Sequence, residues 1–370
     1  MTSRERMLAA LRLQTPDRVP IQVRGVRCWD PQWVATRHSS YRPVIEAVSE
    51  YGDYESWWQP PSGRFLSLTD EIGATARHVE RTDWTETITT IHTPGGDLQT
   101  RHLTSKRGLP GMVMEYPVKT PADVEKVLSV PYVPLRDIDA SGLQAERRRV
   151  GDHGIVMIGV GNNPVGHVHD LLGSELLAIW SIEHRQIVLQ LIDVFLQRIL
   201  DRVEQMLTAG LGPVFSMLGQ EYVTPPLHSE ADFRQFCVVP EERITEKVLR
   251  AGGIMHVHSH GPLDAVLEDF IRIADALHPI EAPPMGDVPL ADAKRRIGGY
   301  ICIEGNVQIG DVYALPTAQL VDRVKRAIDD AASGGGFILA PTASPHTEVL
   351  DELTVRNYVA MVETAAEYGG

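Results

Sequence analysis

The sequence predicts an α/β protein folded as a single (β/α)8 TIM barrel, with an N-terminal helical segment and an inserted β-hairpin. Three observations carry that prediction. From residue 154 onward, short apolar runs alternate with amphipathic helical stretches. About eight such runs occur along the chain, the number a closed parallel barrel needs. Most of them end on a polar side chain able to ligate an ion or move a proton, and barrel enzymes gather their chemistry at the carboxyl ends of the strands. The 370 residues exceed a typical domain, but barrels of this class remain one domain at that length. Residues 1–370 are therefore read as one unit.

In chain order, residues 4–13 place leucines and alanines at helical spacing, and Pro16-Asp17-Arg18 ends that helix ahead of a first strand at 19–23. Residues 65–68 supply a second short strand. Between 72 and 118 the composition shifts. Residues 85–92 alternate, Pro94-Gly-Gly-Asp97 is a turn, and residues 98–104 alternate again, so this excursion is a β-hairpin and a candidate lid. Residues 120–128 form a helix with Thr120 as cap and Pro121 at its first position. A continuous apolar run at 154–160 is a buried strand, and 171–209 supplies helices. Strands follow at 214–218, 254–258, 277–281, 300–303 and 336–340, separated by helices at 233–251, 263–276, 290–297 and 317–332, with a last helix at 352–367. Gly334-Gly-Gly336 lies after a helix and before a strand, where glycine ends helices, and reads as a turn.

The net charge of −14 argues against nucleic acid, whose phosphates need a basic surface. No apolar stretch approaches a membrane span and the first residues have no signal layout, so a cytoplasmic protein without a membrane partner is expected. Cys28, Cys237 and Cys302 are far apart and unpaired in number, which fits reduced, buried thiols.

The densest chemistry lies in Gly253-Ile-Met-His-Val-His-Ser-His-Gly-Pro-Leu-Asp264. Strand alternation puts His256, His258 and His260 on one face at the carboxyl end of that strand. Neutral imidazole is the commonest metal ligand, so a metal or catalytic site is expected, the alternative being a histidine-rich strand end satisfied by carbonyls and water. Other strand ends contribute Arg24 and Trp29, able with Arg27 to clamp a substrate carboxylate; Asn162; Glu221, a candidate general acid or base, with Tyr222 as a pocket wall; Glu281; and Glu304 with Asn306, either orienting ligands and substrate or forming a turn. His167 and His169 repeat the alternate-histidine pattern at a helix start, and His278, before a proline, reads as structural.

The opening Arg4-Glu-Arg-Met-Leu-Ala-Ala-Leu-Arg-Leu-Gln-Thr-Pro-Asp-Arg-Val-Pro20, the strand-turn Met255-His-Val-His-Ser-His-Gly261, Glu304-Gly-Asn306 and Gly334-Gly-Gly-Phe-Ile-Leu-Ala-Pro341 resemble the uroporphyrinogen decarboxylase superfamily. That superfamily includes zinc-dependent methyl-transfer enzymes working with corrinoid proteins or coenzyme M, and is related to cobalamin-independent methionine synthase. The resemblance implies a metal site. The methyl-transfer branch ligates zinc with a His-x-Cys that falls on His258 and His260, histidine standing where cysteine would be. The methionine synthase glutamate falls on Glu281. The last cysteine has no counterpart in Pro341-Thr-Ala-Ser344, where His346 or water would fill the fourth position. Uroporphyrinogen decarboxylase proper is a poorer match, because its arginine-rich loop and Phe-Ser-Asp are missing.

The resemblance therefore implies a zinc enzyme for methyl (one-carbon) transfer or demethylation of a small molecule, with a corrinoid, folate or thiol methyl partner, a corrinoid protein as partner, and a homodimer as related barrels often form. The alternatives are a metal-assisted decarboxylase or lyase acting on a small carboxylate, and a non-catalytic ligand-binding barrel. Two imidazoles and one carboxylate leave zinc a stronger Lewis acid than thiolates would.

Overall fold

The computed structural model describes residues 1–107 and 109–370. Its main body is a curled, seven-stranded parallel sheet in the order β1 (Tyr54–Trp58), β6 (Gly154–Asn162), β7 (Val214–Leu218), β8 (Ile254–His258), β9 (Ala276–His278), β10 (Cys302–Val307) and β11 (Phe337–Pro341). Successive strands are joined through helices, as parallel neighbours require. The segment 19–23 lies between the two ends of this sheet. Ile21 bridges Leu339 of β11, the Gln22 amide donates to the Leu339 carbonyl at 2.9 Å, and the Asp53 amide beside β1 donates to the Ile21 carbonyl at 2.7 Å.

The expected strand at 65–68 is not one. Residues Arg64–Leu66 form a short 3-10 turn with Phe65 and Leu66 at positive φ, and Ser67 is tied to the Pro131 carbonyl and the Val133 amide. The sheet position belongs instead to β1, whose Tyr54-Glu-Ser-Trp-Trp58 carries the aromatic residues that favour strands. The insertion is larger than a hairpin. A four-stranded antiparallel sheet runs in the order β2 (Gly73–Glu80), β3 (Trp84–Thr93), β4 (Gly96–Ser105), β5 (Met112–Glu115), with the expected hairpin at its centre. The region 263–276, expected as an α-helix, is a 3-10 helix over Asp264–Arg272.

The first helix, Ser3–Leu11, is held by a Thr2/Glu5 capping box. Its Met7, Ala10 and Leu11 pack with Ile155, Val214, Ile254, Ala276 and Cys302, which are first or second residues of their strands. The helix therefore plugs the amino end of the curled sheet and leaves chemistry to the carboxyl end. Asp53 fastens that plug. Its buried carboxylate accepts from Arg6 at 2.6 Å, from Arg18 at 2.9 Å and from the Ile21 amide at 2.9 Å, joining the helix, the 19–23 segment and β1. Among the described residues, no helix is long and apolar enough to cross a membrane. The three cysteines are free thiols, with Cys237 and Cys302 buried.

Candidate active site

β8 begins after the Gly252-Gly253 turn, where Gly252 takes a φ of +76° that a side chain would resist. Alternation then sends Ile254, His256 and His258 to the concave face, while Met255 and Val257 join the outer core. The three positions form a column: Ile254 on the helix plug, His256 in the middle, His258 at the mouth.

His258 lines a cleft of about 470 Å³ together with Arg24, Trp29, Glu55 and Ser344. Its Nδ1 lies 2.9 Å from Nδ1 of the buried His278, whose Nε2 lies 3.3 Å from the Pro341 carbonyl. This chain fixes the protons. A carbonyl only accepts, so His278 Nε2–H donates to Pro341; burial holds His278 far below the ordinary histidine range, so its Nδ1 is a bare acceptor. His258 must then donate from Nδ1, which leaves the Nε2 lone pair free. Burial, with Arg24 and His260 nearby, pushes His258 down to about 2, keeping it neutral.

His260 follows edge-on to His258, ring centroids 4.7 Å apart, and its Nδ1 lies 3.2 Å from Glu281 Oε2. The same oxygen accepts from the Gly261 amide at 2.9 Å. Burial opposes ionisation of Glu281, yet the His260 and Gly261 donors outweigh it and hold the carboxyl below its usual range. An ionised Glu281 keeps the His260 proton on Nδ1 and frees the other nitrogen. His258, His260 and Glu281 are thus neighbours at one rim. Their donor atoms are not all within 4.8 Å of one another, as those of Glu55, His256 and Glu304 are.

The remaining candidates scatter around this rim. Glu221 follows β7; burial raises its pKa, nearby His260 opposes that rise, and its Oε2 has no hydrogen-bond partner among the described residues. Tyr222 stacks face to face on His169, centroids 3.7 Å apart, and His169 meets Tyr116 at the exit of the inserted sheet. Arg24 faces Glu55 at 3.5 Å. Trp29 stacks on Tyr54 and donates to Glu146 at 3.0 Å. Asn162 donates to Asp170, which burial pushes up to about 6. Asn306 and Glu281 line a second cavity of about 640 Å³ with Arg323 and Arg326. Glu304 is fully buried against His256 at 3.0 Å. His346 is exposed, stacked on Tyr313 with centroids 4.3 Å apart. Reading the sequence missed Glu55 and the relay role of His278. An aromatic run between Gly52-Asp53 and Pro60-Pro61 would have marked the strand that carries Glu55.

Comparison with known proteins places the chain in a family. The family model described as Uroporphyrinogen decarboxylase (URO-D) matches residues 104–368. A curated relative, the methylcobamide:CoM methyltransferase MtaA of Methanosarcina barkeri, is 24% identical over 248 residues, 67% of each chain. A solved structure described as a methyltransferase from Methanosarcina mazei superposes with a TM-score of 0.61 at 18% identity, covering 100% of both chains, which shows a shared fold. The chain belongs to the uroporphyrinogen decarboxylase (URO-D) family, and the relatives it resembles are methyltransferases.

Proposed function

We propose that this chain is a zinc-dependent methyltransferase for a small organic substrate, with His258, His260 and Glu281 as protein ligands. The observation that carries the reading is the His258–His278–Pro341 relay, which holds one neutral imidazole with its Nε2 free beside a second imidazole and an ionised carboxylate. Each donor is of a kind that zinc takes, a neutral imidazole or an ionised carboxylate, and the three side chains would have to draw together to share one ion, since in this structure their donor atoms do not all lie within 4.8 Å of one another. A zinc ion there would supply Lewis acidity to the methyl acceptor or the leaving group. Because His346 is engaged with Tyr313, we assign the fourth position to water or substrate, the layout of a catalytic ion.

The chain's own residues do the rest. His278 fixes the tautomer of His258, and Glu281 orients His260. Glu221, with its raised pKa and unpartnered oxygen near His260, holds the proton that the acceptor must lose or the leaving group must gain. Arg24, Trp29 and the 470 Å³ cleft position the substrate. The 19–23 segment acts as the eighth stave that closes the barrel, and the inserted sheet acts as a lid, coupled to Tyr222 through Tyr116 and His169. The name of the relative in Methanosarcina barkeri suggests a methylated corrinoid as donor and a thiol as acceptor, with a corrinoid protein as partner.

The test combines metal and turnover. Purified protein should carry zinc near one equivalent, and His258→Ala and His260→Ala should lose it. Demethylation of methylcobalamin by a thiol, followed through its visible spectrum, should require the zinc. Glu221→Gln should keep zinc but turn over roughly 100-fold more slowly or worse. A folded chain that takes up no zinc, or one that decarboxylates small acids without moving methyl groups, would overturn the reading.

A further inference from the structure

Beneath the mouth lies a second cluster that the proposed reaction does not use. β1, β8 and β10 bring Glu55, His256 and Glu304 together on the concave face, and one donor atom from each lies within 4.8 Å of the others. All three are sequestered: His256 is 1% exposed, Glu304 0%, and the Glu55 side chain 5%. Their mutual hydrogen bonds do not satisfy them. His256 Nε2 meets Glu304 Oε2 at 3.0 Å, yet His256 Nδ1, Glu304 Oε1 and Glu55 Oε2 have no partner among the described residues. The permanent positive charge near them is Arg24, whose Nη1 reaches Glu55 Oε1 at 3.5 Å, long for a charged pair.

Two carboxyl groups side by side in an apolar interior are costly unless something positive sits between them. Consistent with that, burial and the neighbouring Glu304 push Glu55 up to about 7. Satisfied structural networks do not leave three buried polar atoms of one cluster without a partner. We propose that Glu55, His256 and Glu304 form a second divalent-cation site, one layer below His258. The donor set, one imidazole nitrogen and two carboxylate oxygens, is harder than that of the rim and suits Mn2+ or Fe2+, with water completing the shell. On β8 the two levels are two residues apart, about 7 Å along the strand, so both can be filled together. The lower site does not depend on zinc binding at His258, His260 and Glu281.

Mn2+ is the probe, because its EPR signal reports both binding and the ligand type. The full chain is stripped with a chelator, titrated with Mn2+, and compared with Glu55→Gln, Glu304→Gln and His260→Ala, the first two nearly isosteric. Thermal unfolding with and without Mn2+ serves as the second readout. The proposal expects wild type to take up one more ion per chain than either glutamine variant, Mn2+ to raise the melting temperature of wild type and of His260→Ala but not of Glu304→Gln, and pulsed EPR to show a histidine nitrogen coupled to the ion. Loss of zinc in His260→Ala with Mn2+ binding intact would separate the two sites. Mn2+ uptake and melting shifts unchanged by Glu55→Gln and Glu304→Gln would overturn the proposal, as would abolition of all metal binding by His260→Ala alone.

Discussion

The relay from Pro341 through His278 to His258 makes a quantitative prediction about metal affinity. His278→Leu keeps an apolar volume in the buried site but removes both the acceptor 2.9 Å from His258 and the anchor on Pro341. His258 then chooses its own tautomer, which costs about a factor of two because neutral imidazole populates both forms. It also turns freely and loses the basicity its hydrogen-bond partner lends. Together, loss of such a supporting partner weakens metal binding by roughly 10- to 100-fold, or about 1.4–2.8 kcal/mol. His278→Gln is the control, since its amide can still accept from His258 and donate to the carbonyl, and it should retain most of the affinity. Competition against a chromogenic chelator measures the zinc constant, and near-ultraviolet circular dichroism confirms that each variant is folded. A folded leucine variant with wild-type zinc affinity would refute the relay, as would a glutamine variant no better than leucine.

Two further outcomes follow from burial. Glu241, boxed in by Gln220 and Cys237, is pushed up to about 7 by burial from an ordinary value of 4.5. A raised folded value means its contribution is full below 4.5 and is lost as pH rises through 7, a swing of roughly 3 kcal/mol. Urea unfolding across that window should show Glu241→Gln losing that much less stability than wild type; parallel pH profiles would count against it. Asp53→Ala strands Arg6 and Arg18 and unfastens the helix plug, at an expected cost of about 3–5 kcal/mol by denaturant titration. A cost below 1 kcal/mol would mean that the plug is held by Met7 and Leu11 alone.

Why some of this was legible in the sequence and some was not comes down to periodicity. β6, β7, β8 and β11 announce themselves because both faces are buried, giving apolar runs bounded by glycine. β1 does not: its inward Glu55 and outward aromatic residues resemble a loop when read by hydropathy, so the neighbouring Phe65-Leu66 run attracted the strand assignment. The first helix and the inward alternation of His256 and His258 were readable because their spacing is local, whereas the helix's place across the amino end of the sheet was not. The Glu55–His256–Glu304 contact was not, since it joins residues 201 and 48 positions apart through sheet curvature, and His278 looked structural because its partner lies 20 residues away on β8.

The graded column on β8 bears on what chemistry the rim can support. Ile254 is apolar, His256 is paired with an acid, His258 is neutral by burial, and His260 is partly exposed beside Glu281. A cysteine at position 260 would bring a thiolate, an anionic and soft electron donor, to the ion. Histidine brings none, so an ion held by two imidazoles and one carboxylate keeps a net positive charge. Such a centre lowers the pKa of a bound thiol or alcohol more strongly but leaves the resulting anion less nucleophilic. On the proposed reading, the enzyme should therefore favour acceptors that start protonated and methyl groups on good leaving atoms, and Glu221 receives the proton that the acceptor releases. His260→Cys tests this step directly: it should retain zinc, raise the pH at which a bound thiol ionises, and make turnover more sensitive to Glu221→Gln, because a weaker Lewis acid leaves more of the proton removal to that carboxylate. If the cysteine variant shows the same thiol titration and the same dependence on Glu221 as wild type, ligand charge at position 260 does not set the reactivity of the site.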